Sequence, residues 1–278
     1  MHGVGYKIKK TILYIALISL AIACLLPFLL MIVNATRKGS DILTSFTLIP
    51  GNSLVENWNL VSNYFNIFQG FANSLIVAVP ATILTGYFSA MTAFALSKYK
   101  FKGNKLVFMV ILIFMMIPSQ LSLLGFYDLV SYLKLVNSYI PLIVPAIAAP
   151  GVVFFLKQYT DTILSPALLE AARIDGAGEL YIFHKIVLPI LSPGIATMSI
   201  STFITHWNNY LVPMIILNGK EKFTLPLLIA SLKSSTDITA NQGGTYLAVA
   251  ISVVPVIIVF CFCSKYIISS ISAGGVKE

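Results

Sequence analysis

The sequence predicts an all-α membrane protein with six transmembrane helices, and its composition and charge distribution support this. Hydrophobic residues make up 58% of the 278 residues and charged residues only 10%, whereas a soluble domain carries about 25% charged residues. The charges avoid several long windows, each of which reaches the roughly 20 apolar residues needed to cross a bilayer. Lipid must therefore cover much of this protein's surface.

The apolar windows define the six predicted spans, which cover residues 11–33, 71–97, 106–125, 139–155, 188–213 and 246–268. The first window follows a basic segment, as the apolar region of a signal peptide does, but it is longer than such a region. It is therefore predicted to be retained as a peripheral first span. The core spans then lie within residues 71–268, and residues 1–278 form a single transmembrane domain.

The basic residues predict the orientation. If the N-terminus is inside, 12 of the 18 Lys and Arg residues fall in cytoplasmic segments, which is the bias that the positive-inside rule describes. Both termini are therefore predicted to be cytoplasmic. The net charge of +8 lies in short clusters between apolar runs, as topology signals do, so nucleic acid is excluded as a partner.

The cytoplasmic loop at residues 160–188 has a readable local structure. Ser165 is predicted to cap a short helix whose first position is Pro166, where a missing N–H costs nothing. Gly176 is predicted to end this helix in a left-handed conformation. A second short helix, Glu179–Val187, is expected to lead into the membrane. The predicted apolar face of the first helix comprises Leu168, Leu169, Ala172 and Ile174.

Two interpretations of this loop follow from its residues. The small side chains of Ala171 and Ala172 would permit close approach by another protein, so a helix–glycine–helix element could transmit movement between a soluble partner and the spans. The alternative is an ordinary interfacial loop helix. The local pattern leaves both open.

The loop also resembles a known family. Glu170-Ala171-Ala172, Gly176 and Ile186-x-Leu188-Pro189 reproduce the EAA loop of ABC-importer permeases at its full spacing. Further motifs are similar to the carbohydrate-uptake branch, and within it to the maltose-permease G-type subunits. These motifs are Asn73-Ser74-Leu75, Pro118, Trp207-Asn208-Asn209-Tyr210 with Pro213, Thr224-Leu225-Pro226 and the segment 272–277.

The resemblance implies a type I ABC-importer permease fold in a bacterial cell membrane. In that fold the EAA loop forms a coupling helix that docks on an ATPase subunit. Glu170, Ala171, Ala172 and Gly176 would then be the coupling positions, with Arg173 and Asp175 as neighbours. The implied partners are a second homologous permease, two copies of the ATPase and an extracellular solute-binding protein.

The sequence does not predict an enzyme. It lacks the G-x-x-x-x-G-K-[ST] pattern that cradles phosphates, so no cofactor is expected and ATP would be bound by the partner. No Ser/His/Asp grouping or carboxylate pair suggests catalysis. No Cys/His cluster has the spacing of metal ligands.

A polar and aromatic cluster lies near the predicted outer end of the fifth span. Trp207, Asn208, Asn209 and Tyr210 could line a cavity and contact a sugar ring. The alternative is an aromatic belt at the membrane interface, with locally satisfied Asn side chains. Both readings remain open at this stage.

The expected function is therefore import of sugars, in particular oligosaccharides, through a path shared with a second permease. One alternative is an ABC permease for a non-sugar solute, and a more distant one is a stand-alone channel or secondary carrier. The ionisable residues avoid the middle of the predicted spans, which argues against a proton- or sodium-coupled carrier.

Overall fold

The computed structural model describes residues 4–234 and 238–275, and all regular secondary structure in these ranges is helical. A π-helical stretch, Phe183–Val187, links two of the helices. The α-helices are α1 Val4–Ala35, α2 Gly39–Thr44, α3 Leu54–Tyr64, α4 Ile67–Lys98, α5 Asn104–Met116, α6 Leu123–Tyr132, α7 Ile140–Ile143, α8 Pro150–Ile163, α9 Pro166–Ile174, α10 Glu179–Ile182, α11 Leu188–Trp207, α12 Leu211–Ile216, α13 Leu225–Lys233 and α14 Ile238–Gly275.

Five helical stretches in the described part of the chain are long and apolar enough to cross a membrane. A bent pair of helices, Asn104–Met116 and Gln120–Tyr132, raises the number to six if the pair forms one broken span. The prediction of several spans in an all-helical protein is confirmed. The five stretches are Tyr6–Ala35, Ile67–Lys98, Ile140–Ile163, Glu179–Trp207 and Gln242–Phe262.

The third predicted span, residues 106–125, is wrong as a single helix. Helix α5 ends at Met116, and the following helical segment lies at 88° to it. Ile117 is extended, with ψ 122°, because a residue before a proline is pushed out of the α conformation. Pro118 therefore breaks the helix that hydropathy alone extends across it.

Two predicted boundaries also shift. Helix α8 continues to Ile163 rather than ending at 155, and its Lys157 pairs with Asp161 one turn later at 2.7 Å. The helical stretch that corresponds to the fifth predicted span begins at Glu179 instead of 188 and ends at Trp207 instead of 213. Both predictions placed a helix end where the hydropathy falls. Charged residues with good helix propensity can continue a helix beyond that point.

The chain packs as two compact units. One contains the chain up to Phe68 together with Leu228–Val254, and the other contains Gln69–Leu227 together with the chain from Pro255 on. In the first unit the candidate span at Tyr6–Ala35 has none of its most apolar window buried. Its side chains are therefore available to lipid, as expected of a peripheral span.

The first unit is held together around the end of α1. The buried Arg37 guanidinium donates to the Asn34 side chain at 3.1 Å and to the Asp41 carbonyl at 2.8 Å. The Asn57 amide donates to the carbonyls of Ala35 and Arg37 at 2.9 and 3.0 Å. A Cβ at Gly243 would lie 2.5 Å from the Arg37 carbonyl, so glycine permits this close approach.

The core of the second unit includes the loop helix α9. A cluster of buried side chains joins α4, α8, α9, α10, the π-helical stretch and α11. Helix α9 is therefore packed onto the spans. The cluster comprises Ala90, Ala93, Phe94, Val152, Leu156, Leu164, Leu169, Ala172, Ile182, Phe183, Val187 and Leu191.

Candidate functional site

Helix α9 starts at the predicted position but lacks the predicted capping hydrogen bond. Ser165 is extended, with φ −71° and ψ 133°, and Pro166 occupies the first turn. The Ser165 side chain makes no capping hydrogen bond. Proline at this position leaves one fewer N–H to satisfy, so the helix begins here without the predicted side-chain cap.

The end of α9 is a Schellman motif built on Gly176. Gly176 has φ +81°, and its N–H donates to the Arg173 carbonyl at 3.0 Å. The next N–H, that of Ala177, donates to the Ala172 carbonyl at 3.0 Å. These two bonds satisfy carbonyls that the helix end leaves open, and the left-handed conformation favours glycine. The predicted helix stop is confirmed.

The buried face of α9 is narrower than predicted. Leu169 and Ala172 are 2% and 8% exposed, whereas Leu168 and Ile174 are 42% and 86% exposed. Leu169 and Ala172 lie three apart and share a face, and Ile174 points away from it. Only part of the predicted apolar face is therefore buried, and α9 presents an apolar side chain outward.

The predicted coupling residues divide between these faces. Glu170, Ala171, Arg173, Asp175 and Gly176 are exposed, whereas Ala172 is buried in the chain's own core. The small-residue patch open to another protein is therefore Ala171 alone, with Ile174 one turn further along. Ala172 instead allows α9 to pack closely on the core.

An ion pair closes the loop after Gly176. The Arg173 Nε donates to the Glu179 Oε1 at 2.8 Å, and Nη2 donates to Oε2 at 3.4 Å. The Tyr99 hydroxyl, which follows α4, donates to the Glu179 Oε2. The Arg173 guanidinium lies 5.7 Å from the centroid of the Tyr99 ring. Burial, and then the hydrogen bond to Glu179, raise the pKa of Tyr99, so its hydroxyl keeps its proton at neutral pH.

Tyr99 and Glu179 were not among the site residues predicted from the sequence. Tyr99 lies 80 residues before Glu179, so only the fold brings the two together. These three side chains connect the end of α4, the last turn of α9 and the first turn of α10. The loop at residues 160–188 is thereby attached to α4 by polar contacts as well as by its core.

His184 provides a second attachment within the π-helical stretch. Its Nδ1 lies 2.7 Å from the Leu180 carbonyl, which can only accept, so this nitrogen carries the proton. Its Nε2 lies 3.0 Å from the Tyr87 hydroxyl, within hydrogen-bonding distance. Single π-helical turns are frequent at functional sites, and this one lies where the loop joins the membrane helix α11.

Trp207 does not lie at a surface that a solute could reach. Its side chain is 1% exposed, and its ring packs against Phe71 and Phe203 with centroids 5.4 and 5.6 Å apart. Trp207 therefore anchors the end of α11 in the core. The prediction that Trp207 lines the substrate path is therefore wrong. The sequence pattern does not distinguish its buried ring from the exposed side chains that follow it.

The three residues after Trp207 line a cavity of about 790 Å³. Asn208, Asn209 and Tyr210 share its wall with Gln120 and Thr205. The Asn209 Oδ1 accepts a hydrogen bond from the Val212 N–H at 3.3 Å. Tyr210 is 43% exposed, so one aromatic face is available. This site offers amide groups and a ring, which are the groups that bind polyhydroxylated solutes.

A polar stripe continues from this cavity along α11. Ser201, Thr205 and Asn208 recur four and then three residues apart and are all exposed. Thr205 also borders a neighbouring cavity of about 570 Å³ together with Ser201 and Asn209. The Thr205 hydroxyl donates to the Ser201 carbonyl at 2.9 Å and is satisfied within the helix. The exposed Asn208 amide would be costly to place in hydrocarbon, so this end of the stripe favours a water-filled path or a protein partner over lipid.

Comparison with known proteins places this fold in a family. A family model for the "binding-protein-dependent transport system inner membrane component" matches residues 82–272. The chain is similar to the arabinooligosaccharides transport system permease protein AraQ of Bacillus subtilis, with 34% identity over 280 residues and 99% of each chain covered. It is also similar to the diacetylchitobiose uptake system permease protein NgcG of Streptomyces coelicolor, with 31% identity, 93% of this chain and 86% of that protein covered.

The structural comparison agrees. A chain in the crystal structure of a bacterial ABC transporter involved in the import of the acidic polysaccharide alginate superposes with a TM-score of 0.80. Identity is 21%, and 96% of this chain and 99% of that chain are covered. At this identity the likeness shows the fold alone, which is that of an ABC-importer permease.

The all-helical fold, with its helix–glycine–helix loop between two spans, is that of a multi-pass membrane permease. The family model covers well over half of the chain, and a relative at 34% identity covers nearly all of it. The chain belongs to the family of binding-protein-dependent transport system inner membrane components. The predicted family and membrane location are thereby confirmed.

Proposed function

We propose that this chain is the permease subunit of an ATP-driven importer of oligosaccharides. The assignment of the cargo depends on one observation. Nearly the whole chain is similar to permeases named for arabinooligosaccharides and diacetylchitobiose. The cavity at Asn208, Asn209 and Tyr210 supports this cargo. Amide groups can hydrogen-bond to sugar hydroxyls, and an exposed aromatic ring can pack against the apolar face of a sugar.

The proposed assembly contains a second homologous permease, two ATPase subunits and an extracellular solute-binding protein. Both termini of this chain lie in the cytoplasm, as the basic residues predict. ATP is bound by the partner subunits, and this chain holds no cofactor and catalyses no reaction. Helix α9 is the coupling helix, with Glu170, Ala171 and Ile174 on its exposed side and Leu169 and Ala172 holding it to the spans.

Coupling proceeds through the attachment points of α9. Movement of the ATPase subunits displaces α9, which is joined to α4 through Tyr99 and Glu179 and continues through α10 into α11. Because α11 carries the polar stripe, a shift of the coupling loop changes access to the path at its other end. Arg173, Asp175 and Gly176 set the geometry of the loop between α9 and α10.

The experiment is reconstitution of the chain with its partner permease, ATPase and binding protein in vesicles. Oligosaccharides of pentose, N-acetylglucosamine and glucose are offered in turn, with amino acids and phosphate as competing classes. ATP-dependent accumulation of one sugar class supports the proposal. Accumulation of a non-sugar solute alone would reassign the cargo, and solute movement by the chain without ATP or partners would indicate a channel or carrier.

A further inference from the structure

The segment after α4 carries a dense basic cluster at one end of two membrane helices. Helix α4 ends at Lys98 and α5 begins at Asn104. Lys100 and Lys102 lie in the loop between these helices, and Lys105 lies in the first turn of α5. All three are exposed and make no hydrogen bond or ion pair with the described residues. The sequence has no acidic residue between Glu56 and Asp128.

The acidic groups that pack near this loop are already engaged. Asp161 pairs with Lys157 at 2.7 Å and also accepts from Ser97. Glu179 accepts from Arg173 and Tyr99. The positive charge of Lys100, Lys102 and Lys105 is therefore not neutralised by these carboxylates, and the cluster attracts an external anion.

The helix that follows places this cluster at the level of lipid headgroups. Helix α5 has no buried residue, and its Leu106, Met109 and Ile113 are 64%, 57% and 54% exposed. Its apolar surface begins directly after the lysines. Phe101, between two of them, is 45% exposed and adds to the apolar surface beside the lysines.

The loop itself is ordered by hydrogen bonds. The Asn104 Nδ2 donates to the carbonyls of Leu96 and Tyr99 at 3.1 and 3.0 Å. Gly103 turns the chain with φ +93°. The basic side chains therefore project from a fixed backbone, so a headgroup bound to them is held in a defined place relative to Tyr99.

We propose that Lys100, Lys102 and Lys105 bind the headgroups of anionic phospholipids and that this site regulates coupling through Tyr99. Tyr99 lies within the same loop and contacts both Arg173 and Glu179 of the coupling loop. A headgroup held by the lysines stabilises one position of the 99–105 loop and, through Tyr99, one position of α9. The regulatory half of this proposal rests on the proposed function, whereas lipid binding does not.

Binding is tested on the full-length chain alone in phosphatidylcholine vesicles. Spin-labelled phosphatidylglycerol and phosphatidylcholine report which lipid contacts the protein. The wild-type chain is expected to prefer phosphatidylglycerol, and the triple change K100Q/K102Q/K105Q to reduce that preference about fivefold or more, since each basic residue near an anionic surface adds a substantial attraction. The control K7Q/K9Q/K10Q removes three lysines at the start of α1, outside the 99–105 loop, and should leave in place the part of the preference that Lys100, Lys102 and Lys105 provide.

Regulation is tested in the assembled importer by varying the phosphatidylglycerol content and measuring ATP-dependent uptake. Wild-type uptake should depend on that lipid, K100Q/K102Q/K105Q should lose the dependence, and Tyr99→Phe should lose it while keeping the lipid preference. Equal lipid preference in the wild type and the triple variant would overturn the proposal. Loss of ATPase binding by the triple variant, with its lipid preference unchanged, would also overturn it and identify a protein-docking surface. If the proposed importer function is wrong, the lipid preference measured on the chain alone remains valid.

Discussion

Arg173 and Glu179 face each other across the bend at Gly176, with Arg173 Nε and Glu179 Oε1 2.8 Å apart. The ion pair spans the last turn of α9 and the first turn of α10, and Tyr99 joins it from the end of α4. An exposed pair of this kind contributes little to the free energy of unfolding, because water screens its charges. Its importance therefore lies in fixing the angle at which α9 meets the membrane helices.

Changing Glu179 to Gln should impair coupling more than stability. The amide cannot hold both Arg173 and Tyr99 as the carboxylate does, so α9 loses its fixed angle. We expect ATP-dependent uptake to fall about two- to fivefold, with an unchanged unfolding temperature, because an exposed ion pair adds little to stability. Lys157→Gln, which breaks the i,i+4 ion pair with Asp161 in α8, is the control and should retain uptake.

Gly176 provides a test of backbone conformation. A Cβ at this position would meet nothing within 4 Å, so the cost of Gly176→Ala arises from φ +81° alone and is about 1–2 kcal/mol. Uptake per unit of ATP hydrolysed should fall. Gly176→Asn should lose less, because asparagine tolerates the left-handed region.

The matched control for this change is Gly178→Ala. Gly178 lies two residues further on, has φ −72° and also has open space around its Cα. Alanine there should be neutral. Equal effects at both positions would show that loop flexibility, rather than the left-handed turn, determines coupling.

Ile174 should behave as an interface residue. It is 86% exposed on the monomer, so Ile174→Asp should leave the chain folded and inserted while weakening co-purification of the ATPase subunit about tenfold or more, as for an apolar anchor at an interface. The contrasting change is Leu169→Ala on the buried face, which should cost about 2–5 kcal/mol of stability. Undiminished ATPase binding by the Ile174 variant would place the docking surface elsewhere.

Trp207 and Tyr210 should separate stability from solute binding. Trp207 packs between Phe71 and Phe203, so Trp207→Ala should destabilise the chain by about 3–5 kcal/mol and lower its abundance in the membrane. Tyr210→Leu should preserve abundance and raise the KM of uptake about tenfold, as loss of a ring contact worth about 1 kcal/mol or more implies. Kinetics of radiolabelled sugar uptake, normalised to membrane abundance, distinguish these outcomes. A normal KM for the Tyr210 variant would remove it from the path.

The local features of α9 were predictable because they depend on neighbouring residues. Pro166 begins the helix and Gly176 ends it, and both effects act through the backbone of a few adjacent residues. The third predicted span ran across Pro118, so neither the break at this proline nor its bend of 88° was predicted. The angle depends on what each half packs against.

The faces of the helices were harder to predict. In a soluble protein the polar side of a helix identifies its exposed side, but lipid accepts apolar side chains as readily as a core does. In the loop helix α9 an apolar side chain can face either the core or a partner protein, so Leu169 and Ile174 are equivalent by hydropathy, although one is 2% and the other 86% exposed. The same ambiguity placed Trp207 with Asn208 and Tyr210.

The sequence by itself determined a membrane protein of several apolar helices, its family, and a helix–glycine–helix loop, because hydropathy and turn chemistry act over short stretches of chain. Only the tertiary structure decided that Tyr99 joins the Arg173–Glu179 pair and that Ala172 faces inward. Contacts between residues 80 positions apart depend on how the helices pack, and no local pattern encodes that packing.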